Sequence, residues 1–429
     1  MIKIIKYTQL KPKDKIRLFT RSSVNYDSVK AEVKPLIEDV QKNGDKAILN
    51  KYQKRSIPIQ GLKVSQVEFD EAEKKVINKF LSAFNVAKSN LEQSCLAQRK
   101  SLRDTSRVEK NGISVWREWR PLDSVGIYVP GGNANYPSSL LMCALPALTA
   151  GCKQIVVCAP PNSKGLLPAE LLVTANALGI TSVFKVGGPQ AIAAMAYGTQ
   201  SVPKVLKIVG PGNKYVTAAK LTVYPQTNID MPAGPSENLI IADDTANPKF
   251  VAADLITDTE HGADSTAILL TPSVALAKAV ALEIEIMLND LPTKTTVEQS
   301  LQNYGAILII DSIDDAIAIS NDYAPEHLQI MTSDPRAILK KIANAGSIFL
   351  GSYSAKAAGD YCSGANHVLP TGQAAKSFSP LGMDSFGKWI EVQEVSEAGF
   401  KFLSSTIETY AEVESLPAHR LSSSIRSQS

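Results

Sequence analysis

From Val125 onward, short β-branched runs take turns with helical stretches, and this rhythm constrains the fold more than any other feature of the chain. Val125-Gly126-Ile127-Tyr128-Val129 is followed by a helical pattern over 138–150 and then by Ile155-Val156-Val157-Cys158-Ala159. The alternation continues through Val183 and Val205, and a second set begins at Leu239-Ile240-Ile241 and runs through Ala267–Leu270 to Ala306–Ile310. Runs this apolar suit strands buried on both faces, joined by helical crossovers into parallel sheets. The pattern predicts an α/β protein with two Rossmann-like lobes. The first takes residues 26–124 and 238–380, and the second takes 125–237. A basic N-terminal arm over 1–25, solvated or subunit-contacting, and a helical C-terminal tail over 381–429 flank them. Ligands of such sheets sit beyond the carboxyl ends of the strands, so a cleft between the lobes is the expected site.

Charge and cysteine usage exclude several classes. A formal net charge of +3 gives no electrostatic case for nucleic acid, although Lys3, Lys6, Lys11, Lys13, Lys15, Arg17 and Arg21 crowd the start of the chain. Five cysteines (Cys95, Cys143, Cys152, Cys158, Cys362) form no CxxC pair and argue against a disulfide framework. The start lacks the apolar stretch of a signal peptide, and no run reaches the ~18 residues of a membrane span. The expectation is a cytoplasmic protein with no membrane and no nucleic-acid partner.

The chemistry concentrates around only four histidines. Asp258 and His261 lie three apart, which on a helix sets both on one face for a shared ion; the same residues also read as a helix end with His261 complementing the dipole. Glu326 and His327 follow Pro325 and suit base and water activator, or simply the start of a helix. Asp360 and His367 fall in a stretch of small residues with loop character. Glu414 and His419 flank Pro417 and on spacing alone read as surface residues. Together these nitrogen and oxygen donors compose a zinc-type set, although no compact motif such as HExxH is present. Three glycine-rich pieces, Val129–Asn133, Val186–Gln190 and Val209–Asn213, each join a predicted strand to a predicted helix and suit a phosphate-bearing ligand, without matching a dinucleotide or P-loop fingerprint.

The chain resembles the histidinol dehydrogenase family through VGIYVPGG (Val125–Gly132), IVGPGNKYV (Ile208–Val216), IDMPAGPSE (Ile229–Glu237), YAPEHL (Tyr323–Leu328) and AGDYCSGANHVLPT (Ala358–Thr371). The resemblance implies an NAD- and zinc-dependent homodimer, one Zn2+ per subunit, that oxidises L-histidinol through L-histidinal to L-histidine in histidine biosynthesis. It makes Asp258, His261, Asp360 and His419 the metal ligands. Glu326 and His327 become the acid–base pair. Ser236, His367 and Glu414 join these six as substrate contacts, and Tyr128, Gln190 and Asn213 contact NAD on the second lobe. The tail is expected to cross to the partner subunit and complete its site with Glu414 and His419.

Two departures stand out. The resemblance calls for glutamine where this chain has Asp258, and for glycine where it has Ser415. A carboxylate is a competent zinc ligand, so Asp258 is expected to tighten metal binding while altering activity. Two other readings follow: a related zinc- and NAD-dependent dehydrogenase of another small polar alcohol, or a catalytically impaired homologue.

Overall fold

The computed structural model describes residues 2–19, 26–52, 61–103, 107–131, 135–231 and 234–427. Gly132 and Asn133 of the first glycine-rich piece, Pro232 and Ala233 of the IDMPAGPSE segment, and Arg21 lie outside the described residues. A six-stranded sheet runs in the order Lys3–Lys6, Gly305–Ile309, Thr266–Thr271, Glu237–Ala242, His327–Met331, Ser347–Leu350. A five-stranded sheet runs Val183–Phe184, Gln154–Cys158, Ser124–Tyr128, Lys207–Val209, Asn228–Ile229. Every neighbouring pair in both is parallel. Strands Ser124–Tyr128, Glu237–Ala242 and Thr266–Thr271 are buried at every position, as expected of parallel strands covered on both faces. The two-lobed α/β reading therefore holds.

Three features depart from what the sequence predicts. The N-terminal segment is no separate arm, because Lys3–Lys6 forms an edge strand with Lys3 opposite Ala306. Lysines at a sheet edge keep their charge in water and discourage further pairing. Helix Pro12–Phe19 then buries Leu18 and Phe19, whose ring meets Tyr323 edge-on at 5.4 Å.

The helices between 26 and 103 belong with the second sheet, contrary to the expected division. Val29, Val33, Ile37 and Val40 pack with Val156, Ile192 and Ile208. Phe69, Phe84 and Leu91 pack with Val125 and Leu140. An apolar helix face announces that something covers it but does not name the partner.

Among its described residues the tail has a short 3-10 turn at Met383–Phe386 and helices over Glu397–Val413 and Pro417–Ser427. Before the helices, Gly387–Val395 pairs antiparallel with Ile113–Pro121, placing Trp389 opposite Trp119 in a three-stranded sheet completed by Val108–Lys110. All five cysteines are free; four are buried and Cys362 is exposed.

Candidate active site

The acid–base pair sits where a helix hands over to a strand. Helix Ile313–Tyr323 ends at Ala324, which adopts the left-handed conformation (φ +50°), and Pro325-Glu326 lead straight into strand His327–Met331. Glu326-His327 is thus a strand start rather than a helix start. Gly346 makes the approach possible. Its N–H donates to the Pro325 carbonyl, and a Cβ there would lie 2.5 Å from the Glu326 carbonyl oxygen. In register, His327 stands beside Asn238, one residue into the neighbouring strand Glu237–Ala242. This chemistry therefore gathers at the amino ends of the central strands of the six-stranded sheet, not at the carboxyl ends that the general rule for α/β sheets suggests. A crossover helix delivers the next group. Asn247 caps helix Pro248–Thr257 and Pro248 opens it; a single 3-10 turn, Asp258–Glu260, follows and leads to His261.

The side chains converge tightly. His327 Nδ1 lies 3.1 Å from Asp258 Oδ2 and 3.2 Å from the Glu237 carbonyl oxygen. A carbonyl only accepts, so Nδ1 carries the proton and Nε2 keeps its lone pair. That Nε2 is 3.8 Å from Asp360 Oδ1. Glu326 Oε2 accepts the Glu237 N–H at 2.9 Å and lies 3.7 Å from His327 Nδ1. Ser236 Oγ is 2.9 Å from His261 Nδ1. His367 Nδ1 donates to the Asp360 carbonyl at 2.8 Å, and its Nε2 meets Ser139 Oγ, on the helix that follows the first glycine turn, at 3.2 Å. His261 Nδ1 also lies 3.8 Å from Asp258 Oδ1, so Ser236, Asp258, His261, Glu326, His327, Asp360 and His367 are linked in one contact network.

Glu414 and His419 are not part of it. Both are exposed, and their backbone N–H groups bond to Tyr410 and Leu416 within the tail. Between them Ser415 holds φ +58°, the left-handed region where a side chain costs about 1–2 kcal/mol. The glycine expected there from the family pattern has this physical reason.

The residue that the sequence reading missed is Lys356. It opens the short helix Lys356–Tyr361, is almost fully buried, and sets its ammonium between two carboxylates. Nζ forms an ion pair with Asp258 Oδ1 and a 2.7 Å bond to Asp360 Oδ2. Its four-residue spacing from Asp360 was the available signal. Glu237 was missed too. Its carboxylate accepts N–H bonds from Gly372 (3.0 Å) and Glu326 (3.3 Å), tying two site loops together.

Electrostatics divide the carboxylates. Burial disfavours charge on Asp258, yet His327 and Lys356 outweigh it and hold the group well below the usual range. Burial pushes Glu326 up to about 8, against the pull of His327 and with Asp258 adding to the rise. His327 is desolvated, which lowers its affinity for a proton, but Asp258 and Glu326 raise it above the usual value. Burial lowers His261 and His367. One buried site thus holds an anionic aspartate beside a protonation-ready glutamate, the separation expected where acid–base chemistry is done.

The expected metal set was Asp258, His261, Asp360 and His419. Among the described residues no group of three or more His, Cys, Asp or Glu side chains is arranged to hold an ion. Asp258 faces Lys356 and His327, Asp360 faces Lys356, and His419 lies in the tail. These residues do not fit a divalent ion, because an ammonium already stands between the two carboxylates.

The second lobe is where the nucleotide is expected. A cleft of about 530 Å³ is lined by Tyr52, Gly131, Pro160, Gly187, Gly188 and Gln190, at the carboxyl ends of strands Ser124–Tyr128 and Gln154–Cys158. The Tyr128 hydroxyl accepts the Gly188 N–H at 3.1 Å, fixing the turn that carries Gln190. Gly210 holds φ +113° against the Tyr128 carbonyl, where a Cβ would overlap, and its N–H donates to Asp230. The Asn213 side chain, expected to contact the cofactor, accepts N–H bonds from Tyr215 and Val216 and caps the next helix. Size, backbone donors and position at the strand ends fit a dinucleotide.

Fold and site define a two-lobed α/β enzyme with a buried, electrostatically divided Glu326–His327 pair at one sheet and an open cleft at the strand ends of the other. A family model described as histidinol dehydrogenase matches residues 19–427. Histidinol dehydrogenase of Clostridium acetobutylicum is 45% identical over 398 residues, covering 92% of this chain and 91% of the relative. That of Bacteroides thetaiotaomicron is 42% identical over 429 residues, covering 99% of each. The crystal structure of histidinol dehydrogenase from Elizabethkingia anophelis superimposes with a TM-score of 0.94 at 40% identity, covering 100% of this chain and 98% of that one. The chain belongs to the histidinol dehydrogenase family and is an oxidoreductase.

Proposed function

We propose that this chain oxidises L-histidinol to L-histidinal and then to L-histidine, in the cytoplasm and as a homodimer. The observation that carries the reading is the buried pair Glu326–His327, whose Nε2 lies 3.8 Å from Asp360, in the network that also links Ser236, His261 and His367. Family membership supplies the substrate. Tyr128, Gln190 and the backbone of the glycine turns hold NAD, which supplies the hydride acceptor for both oxidations.

His327 Nε2 takes the hydroxyl proton as the carbon bearing oxygen loses its hydride, and the C=O of the aldehyde forms. Glu326, as carboxylate, then takes a proton from water as the oxygen adds to that carbonyl, while His327 returns its proton to the carbonyl oxygen, so that the hydrate forms and Nε2 is free again. The hydrate loses a second proton to His327 and a second hydride, leaving the carboxylic acid. Asp258 keeps the imidazole oriented throughout by holding its Nδ1 side. Ser236, His261 and His367 orient the substrate's polar groups. No step passes through a metal ion, because Lys356 supplies the positive charge beside the carboxylates.

The tail supports dimerisation. Phe402, Tyr410, Val413, Leu421 and Ile425 are each more than half exposed, a density of apolar surface that suits a partner subunit. Glu414 and His419 travel with it to the neighbour's cleft. Absorbance of NADH with L-histidinol tests the reading: two NADH per histidinol support it. Reduction only with another amino alcohol favours the related-dehydrogenase reading. Binding without turnover favours the impaired homologue.

A further inference from the structure

The expected divalent ion and the charge already inside the pocket compete for one place. Lys356 is 2% exposed and Asp258 is wholly buried. Three of the four carboxylate oxygens meet an ammonium or an N–H, and the fourth, Asp360 Oδ1, lies 3.8 Å from His327 Nε2. Asp258 Oδ1 and Asp360 Oδ2 face the Lys356 ammonium, while Asp258 Oδ2 and Asp360 Oδ1 face the two nitrogens of His327. An ion drawn in by both carboxylates at about 2.0–2.2 Å would have to displace that buried ammonium from its two counter-charges. His261 Nδ1 lies 3.8 Å from Asp258 Oδ1 and is hydrogen-bonded to Ser236 Oγ at 2.9 Å.

We propose that Lys356 is the resident cation of this pocket, replacing a divalent metal, and that Asp258 is its counter-ion rather than a metal ligand. One ammonium between two carboxylates leaves one negative charge. That charge suits the single cationic amine of an amino alcohol, which a pocket holding a divalent ion in the same place would repel. Lys356 and the carboxylates orient the substrate, and the reaction proceeds without metal. The inference rests on the proposed reaction only for the amine; the state of the metal site is independent of turnover.

The test uses the full-length protein, stripped with chelator, incubated with zinc alone, desalted and measured by elemental analysis, with titration calorimetry of zinc in parallel. The wild type is expected to retain no stoichiometric zinc, and chelator is expected to leave turnover unchanged. Lys356→Met and Lys356→Gln open the space and are expected to bind zinc at least ~100-fold more tightly, as removing a charge beside a divalent ion predicts. That gain disappears on adding His261→Ala. One zinc per wild-type chain, lost in His261→Ala, overturns the proposal, as does unchanged zinc affinity in both Lys356 variants. Because zinc content is read without substrate, an inactive protein that binds no metal refutes the proposed reaction and leaves the resident cation standing.

Discussion

Asp258→Ala removes the fully buried partner of a buried ammonium, and its cost follows from what remains. Breaking such a pair from one side costs about 3–5 kcal/mol, because the surviving charge is stranded out of water. Here Lys356 keeps Asp360 at 2.7 Å, and His327 Nδ1 keeps the Glu237 carbonyl at 3.2 Å. The expected loss is therefore at the lower end, about 3 kcal/mol, a large share of the ~5–15 kcal/mol by which proteins are stable. Urea unfolding followed by far-ultraviolet circular dichroism measures it; tryptophan fluorescence would not, since Trp116, Trp119 and Trp389 all lie in the antiparallel sheet. Adding Lys356→Met removes the stranded charge and should restore stability to within about 1 kcal/mol of wild type. The pH dependence has a definite sign. The folded state holds Asp258 below its usual range, so its contribution is complete above the unfolded value near pH 4 and is lost as the medium becomes more acidic. The wild type's advantage over Asp258→Ala should be constant above about pH 5 and shrink steadily as pH is lowered from about 4 to about 2. A single variant that loses less than about 1 kcal/mol, or a double variant less stable than the single, refutes the pairing.

Glu326, raised to about 8, and His327, raised above its usual range, must both be unprotonated to act, so kcat/KM should climb through about pH 8 and fall below pH 7; a flat profile between 6 and 9 contradicts the assignment. Glu326→Gln should retain the first oxidation and lose the second by about 10²-fold or more, giving one NADH per histidinol, read by stopped-flow absorbance. The same substitution should raise the melting temperature near pH 7–8. The native site holds a proton that the unfolded chain releases above about pH 4.3, so folding is penalised as pH rises towards 8. Tyr128→Phe deletes the acceptor of the Gly188 N–H and should raise KM for NAD several-fold with little change for histidinol; equal changes in both would place the hydroxyl elsewhere in the reaction.

The strand–helix rhythm after Val125 revealed both sheets because parallel strands buried on two faces write themselves as continuous apolar runs. Strand Gly387–Val395 stayed hidden. It is largely exposed, its Val392 and Val395 are also compatible with helical spacing, and its partner lies more than 250 residues earlier. The basic start misled for a similar reason, since edge lysines look like a solvated arm until a partner strand is known. In the site, Glu326, His327 and Asp258 were legible because histidines are scarce. Lys356 was not, because a buried lysine looks like any surface lysine in sequence and only the fold reveals the two aspartates around it.

The pairing of Lys3–Lys6 with Gly305–Ile309 has a consequence for synthesis. At ribosomal speeds of about 5–20 residues per second, the first strand emerges on the order of 15–60 s before the strand it joins. Meanwhile the five-stranded lobe, whose sheet and covering helices come almost entirely from residues 26–231, can complete itself on the nascent chain. The leading residues are kept waiting as a loose thread, and the catalytic half of the molecule closes last.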